Sequence, residues 1–303
     1  MAFPPLGALR IAVSDDVPRI SVVATAAFRY SPLFDWERPD HEKYPEDTLS
    51  SYQTQFLNAI QSDDSIVLVQ EDAYIRNEND KTTAIIPNDT GWTAPKAGAQ
   101  VIVAVISIKL EPGSSHKGKL KNNKGKYHDK FLSLVIGLCS YLTPPNDPGR
   151  DLNRRHYDDW GTISAAARKK NGVHNDSVVS MIAVHPAYWR RGHGTKLATW
   201  ARDLAVKHKV PQCVSAAPMS QCLFMSLGYK QLDVIVAEGD EDDPRGAKTL
   251  LLEFGREYRG GLSKSRLLRW IIRVIRNPIA KVVLIAQRTL SRRQVESSEK
   301  GAW

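Results

Sequence analysis

Two periods of apolar residues alternate along this chain. Short runs rich in β-branched residues predict strands over 9–13, 66–70, 101–110, 178–184 and 213–216. Between them, apolar residues spaced by three and four predict helices over 15–28, 48–61, 151–170 and 194–208. Acidic residues open the first helix, where they suit the positive end of its dipole. Tyr52, Phe56, Leu57 and Ile60 share one face of the second. Residues 234–237 and 249–254 predict a hairpin across the acidic stretch 238–243, and Gly260-Gly261 marks the end of the domain.

The connections are uneven. About thirty polar residues, 71–100, separate two predicted strands, which is long for a hairpin loop. A second insertion, 111–176, holds a basic segment at 117–130, an apolar helix candidate at 131–142, a Pro144-Pro145 break, the helix predicted over 151–170 and an Asn171-Gly172 turn. The stretch 30–39 is aromatic, acidic and punctuated by prolines; a substrate-facing loop and a packed structural loop both fit it.

Composition narrows the class. The chain has 303 residues, 42% of them hydrophobic and 25% charged, as an ordinary globular protein does. Cys139, Cys213 and Cys222 have neither metal-ligand spacing nor an even count, so no zinc site or disulfide framework is expected and a reducing compartment fits. No secretory signal and no long uninterrupted apolar run is read, so the expectation is a cytoplasmic protein. The net charge of +9 is local: ten Lys and Arg and no Asp or Glu fall within 258–295, which leaves 32 basic against 33 acidic residues elsewhere.

Chemistry concentrates at 178–198. A strand ends in Val184-His185-Pro186, a turn reads Arg190-Arg191-Gly192-His193-Gly194, and a helix follows. Glycines there allow close approach of the backbone to a ligand, and a helix N-terminus offers unpaired N–H groups to an anion. Strand, His-Pro-x-Tyr-x-Arg-Arg-Gly-x-Gly and helix resemble the acetyl-coenzyme A signature of the GNAT acetyltransferase superfamily. Residues 216–229, with their Leu227-Gly228-Tyr229 turn, are similar to that family's next strand and short helix.

The resemblance implies a mixed α/β fold, a twisted central sheet flanked by helices, over 1–258. It implies acetyl-CoA as co-substrate and transfer of its acetyl group to an amine of a small molecule or peptide by direct attack. Ile182, Ala183 and Val184 would hold the pantetheine arm, Arg190, Arg191, Gly192, His193, Gly194 and Thr195 the pyrophosphate, and Phe224 would lie beside the cofactor. Two departures stand out: Trp189 replaces the usual Gln or Arg, and Phe224 replaces a tyrosine that in many members protonates the leaving thiolate. That leaves His185, Ser220, Cys222 and Glu37 as candidate catalytic residues, with Ser226, Asp35 and Asp40 nearby in sequence. The alternative is a catalytically degenerate acetyl-CoA-binding or membrane-surface protein.

Residues 259–303 read as a basic amphipathic helical tail with a disordered end. Arg266, Arg269, Arg273 and Arg276 line one side, and Leu267, Leu268, Ile271, Ile272 and Ile275 the other. Packing on the domain and peripheral membrane contact through 261–293 are both compatible with this pattern. A nucleic-acid partner is disfavoured, because the segment lacks interleaved aromatics.

Overall fold

Prolines decide where several helices begin, because a fixed φ and a missing N–H cost nothing at the first helical positions. In the computed structural model, which describes residues 3–120 and 149–259, Pro18 lies in the first turn of α1 (Val17–Phe28), and Pro32, Pro45 and Pro218 open α2 (Pro32–Glu37), α3 (Pro45–Gln61) and α6 (Pro218–Ser226). The remaining helices are α4 (Arg154–Lys170), capped by Asn153, and α5 (His193–His208). The strands are β1 (Leu9–Ile11), β2 (Ser65–Ala73), β3 (Gln100–Lys109), β4 (Ser177–Val184), β5 (Gln212–Ala216), β6 (Lys230–Ala237) and β7 (Ala247–Phe254).

These seven strands form one mixed sheet in the order β1-β2-β3-β4-β5-β7-β6, antiparallel throughout except for the parallel pair β4/β5. The fold is thus mixed α/β. β3 is an inner strand buried from Val101 to Ile108, which explains an apolar run interrupted only at Ser107. One face packs Leu68, Val103, Ile106 and Val179 against Leu197, Ala198 and Leu204 of α5. The other packs Val67, Val69, Val105 and Ala183 against Ile20, Val23 and Ala24 of α1 and Phe56 of α3. Towards the β6 edge, Ile163 and Ala167 of α4 cover Cys213, Ile235 and Leu251.

Most elements fall near their predicted positions, with differences at the ends. The first helix starts at Val17, because Ser14–Asp16 form a 3-10 turn. The third starts at Pro45 and α4 at Arg154. β6 begins four residues before the predicted 234, with an irregularity between Gln231 and Asp233. The stretch 30–39 is a packed helix rather than a loop: Phe34 and Trp36 of α2 are buried, and Trp36 stacks on His156 of α4 at 4.1 Å between ring centroids.

The chain divides into two units, Met1–Arg256 and Glu257–Trp303; of the second, only 257–259 are described. The tail, the apolar helix candidate at 131–142, the Pro144-Pro145 break and Cys139 lie outside the described residues. Among those described, no helix is long and apolar enough to cross a membrane.

Candidate active site

β4 and β5 pair only from Ser177/Gln212 to Val179/Val214. A bulge at Ser180 marks the break: on β3, Ile108 faces Val179 while the next pair is Ser107/Met181. Beyond it, the side of β4 facing away from β3 has no strand partner among the described residues.

Register decides what that open side presents. His185 N–H donates to the Val103 carbonyl at 2.9 Å, so these two residues, and Val105 with Ala183, are hydrogen-bonded pairs of the antiparallel ladder. The alternating pairs, Ala104/Val184 and Ile106/Ile182, direct their backbone groups outward. Ile182 and Val184 therefore aim N–H and C=O into the gap between β4 and β5. Ala183 faces the opposite way and buries its methyl against α1.

The turn that follows is built to gather N–H groups. Arg190 has φ 63° and Gly192 φ 82°, two left-handed residues bracketing Arg191, and such alternation makes an anion-binding concavity. Gly192 is the N-cap of α5 and its carbonyl accepts from Lys196 N–H at 3.0 Å. The N–H groups of His193, Gly194 and Thr195 find no partner among the described residues, as at any helix start. Arg190, Thr195 and Lys196 are exposed.

The side chains of Arg191 and His193 point elsewhere. His193 is buried, with Nε2 3.0 Å from Asp72 Oδ2, and Arg191 Nη1 lies 3.2 Å from the same oxygen. Burial pushes the Asp72 carboxyl up, but hydrogen bonds from Ala73 N–H, His193 and Arg191 outweigh it and hold the group below its ordinary value. Arg191 also lies over the Tyr188 ring, 5.2 Å from its centroid.

Beneath the turn sits a buried polar network. Arg19 of α1 and Glu78 form a bidentate pair with side chains 4% and 2% exposed. The Tyr188 hydroxyl donates to Glu78 Oε2 at 2.7 Å and accepts from Ile75 N–H at 3.0 Å. Arg19 Nε also donates to the Ile102 carbonyl at 2.7 Å. The polar stretch 74–99 is thereby tied both to α1 and to the signature turn.

Of the candidate catalytic residues, His185 is fully buried. Its Nδ1 accepts from Ala187 N–H and its Nε2 meets Asn79 Oδ1, each at 3.3 Å. Desolvation lowers it to about 4, so the ring is neutral at physiological pH. Ser220 donates to the carbonyl of Ala217, the N-cap of α6, Ser226 donates to the Leu223 carbonyl, and Cys222 is exposed. Phe224 is completely buried, edge-on to Tyr229 at 5.1 Å.

Glu37 differs from these. It ends α2, directly after Trp36, which packs on Ala237 and Ala247 where β6 and β7 meet their connecting loop. Ala247 precedes Leu250, the partner of Ala216, so this packing lies beyond the C-terminal end of β5, the end at which the sheet opens. Burial pushes the Glu37 carboxyl up to about 7, against the opposing charge of Arg38. Asp35 is paired with Arg29. In the acidic stretch 238–243, Asp240 accepts from Asp242 and Asp243 N–H and binds His156, so its charge is spent closing the loop onto α4. His156, Asp240 and Asp242 bring donor atoms within 4.8 Å of one another, yet Asp242 is itself engaged by Asn153.

Asp72, Glu78 and Arg19 were invisible to the sequence reading. Their partners are 59 to 121 positions away, and no periodicity or motif encodes such pairings.

Residues 136–228 match the sequence model of the acetyltransferase (GNAT) family. A protein named acetyltransferase from Stachybotrys chartarum (strain CBS 109288 / IBT 7711) is 24% identical over 244 residues, 80% of this chain and 89% of that one. Similar solved structures include the mosquito arylalkylamine N-acetyltransferase like 5b, at 14% identity over 81% of this chain and 98% of that one, with TM-score 0.41. The Drosophila melanogaster polyamine N-acetyltransferase shows 12% identity over 81% and 98%, with TM-score 0.40. A putative acetyltransferase from Salmonella typhimurium, solved with acetyl-CoA, shows 14% identity over 81% and 91%, with TM-score 0.39. The family match takes in the open strand, the glycine turn, α5, β5 and α6, and over this stretch the chain is similar to the GNAT acetyltransferase family.

Proposed function

We propose that this protein is an acetyl-CoA-dependent N-acetyltransferase acting on a small-molecule or peptide amine. The observation that carries the reading is continuity: outward-facing backbone groups of Ile182 and Val184 lead directly into the N–H-rich turn from Arg190 to Thr195. A flexible amide chain ending in a pyrophosphate matches both parts. When bound, acetyl-CoA supplies an acyl carbon activated as a thioester.

The residues divide the work. Ile182 and Val184 would hold the arm through main-chain hydrogen bonds, and the turn would hold the pyrophosphate, with Arg190 and Lys196 exposed beside it. We assign Glu37 the role of general base: a carboxyl at about 7 is half ionised at neutral pH and can take a proton from an ammonium ion directly or through water. His185, near 4 and hydrogen-bonded at both nitrogens, is a poor base and a good brace. Phe224 has no proton to give, so departure of the thiolate relies on positioning and on other groups.

Calorimetry with CoA and acetyl-CoA tests the first half; micromolar binding is expected, and no binding at millimolar concentration would reject it. A thiol-release screen over an amine library tests the second half.

A further inference from the structure

Trp189 occupies a position from which it touches the open strand. Its indole N–H donates to the Val184 carbonyl at 2.6 Å. By the ladder register, that carbonyl points into the gap, away from β3. The acceptor used by the indole is therefore one of those that a bound amide chain would seek.

Neighbouring residues hold the ring in this pose without burying it. Tyr30 meets it edge to face at 4.9 Å, and the Tyr30 hydroxyl is anchored by the Lys81 carbonyl at 3.4 Å and Thr83 N–H at 3.2 Å. Arg190, directly after Trp189, turns the chain through its left-handed φ of 63°, and the indole folds back over the residue that ends β4. Trp189 remains 36% exposed, so the ring has solvent on one side into which to move.

We propose that Trp189 is a positioning residue that competes with the pantetheine arm for the Val184 carbonyl, and so sets how long CoA and its thioesters stay bound. The inference rests on the acetyl-CoA reading. The arm is common to acyl-CoA substrate and free CoA product, so the indole speeds release of both by reclaiming the carbonyl as the arm lifts away. A tight grip on CoA would slow turnover once the acetyl group has gone, and Trp189 relieves that grip at the cost of one hydrogen bond to the arm.

Trp189→Phe keeps the ring and its contact with Tyr30 but removes the N–H. It is expected to bind CoA about fivefold more tightly, as suits one net hydrogen bond, with the gain in the dissociation rate measured by stopped flow. Wild-type tryptophan emission should change on CoA addition, and the Trp189→Phe protein should lose most of that change. Tyr30→Ala, which loosens the ring without touching the indole N–H, should shift CoA affinity in the same direction and serves if Trp189→Phe melts early. Equal or weaker CoA binding in both variants, or an emission change that persists undiminished in Trp189→Phe, overturns the proposal. Failure of the wild type to bind CoA at all would instead reject the acetyl-CoA reading.

Discussion

Asp72, at the end of β2, receives His193 and Arg191 on a single carboxylate oxygen, at 3.0 and 3.2 Å. This contact fastens the first turn of α5 to the far side of β3, and it also neutralises one of the two arginines beside the proposed pyrophosphate site. Asp72→Asn keeps an oxygen acceptor for Ala73 N–H but replaces the oxygen shared by His193 and Arg191 with an amide NH2 and removes the negative charge. We expect CoA to bind a few-fold more tightly in this variant at low salt, the gain shrinking as ionic strength rises. Calorimetry at two salt concentrations checks it; weaker binding at both would mean that the ion pair is needed for the shape of the turn.

The two glycines of the turn should respond differently. At Gly192, with φ 82°, an added Cβ meets nothing within 4 Å, so the cost of a side chain is backbone strain. Gly192→Val should lower stability by about 1–2 kcal/mol and weaken CoA binding at least tenfold, because the strain is relieved only by moving the N–H groups. Gly194 has ordinary backbone, and its Cβ would lie 3.4 Å from Val184 Cγ2 and 3.7 Å from Leu223 Cδ2. Gly194→Ala should therefore leave the melting temperature unchanged or slightly raised, since alanine is the better helix former by about 1 kcal/mol.

Glu37 makes a pH-dependent prediction with a definite sign. Its folded-state value, about 7, lies above the 4.5 of an unperturbed glutamate, so its contribution to stability is intact below about pH 4.5 and is lost as pH rises towards 7. The slope is at most about 1.4 kcal/mol per pH unit over that window. Glu37→Gln should remove it: thermal melts of wild type and variant should converge near pH 4.5, with the variant more stable at pH 8. If Glu37 is the base, wild-type kcat/KM should rise through pH 7 and Glu37→Gln should flatten that limb. A stability effect without a change in the rate profile would leave the residue structural and the base elsewhere.

Asp151 is the partner of Arg38 across a long stretch of chain, with side chains 0% and 4% exposed, and it also accepts from Thr48 Oγ1 at 2.6 Å. It ties the segment leading into α4 to α2 and α3. Asp151→Ala leaves a guanidinium buried without its counter-charge, which should cost about 3–5 kcal/mol. Urea unfolding should show a lower midpoint with little change in slope.

What the sequence determined by itself was local. The buried run of β3, the amphipathic spacing of α3 and α5, and the glycine turn after β4 are written in neighbouring residues, because strand, helix and left-handed turn each depend on dihedrals and contacts within a few positions. Composition was a poor guide at 30–39, where aromatic and proline content suggested a loop; α2 forms there because Phe34 and Trp36 find α3 and α4 to bury against. Only tertiary structure decided how the charged groups were spent. His185 became a buried brace because Asn79 and Val103 converge on it, Arg191 and His193 turned to Asp72, and Glu37 rose towards neutrality because burial removed its water. Side-chain charge interacts with whatever the fold brings within a few ångströms, and for Trp189 the same folding back of the chain selected the Val184 carbonyl on the open edge of β4.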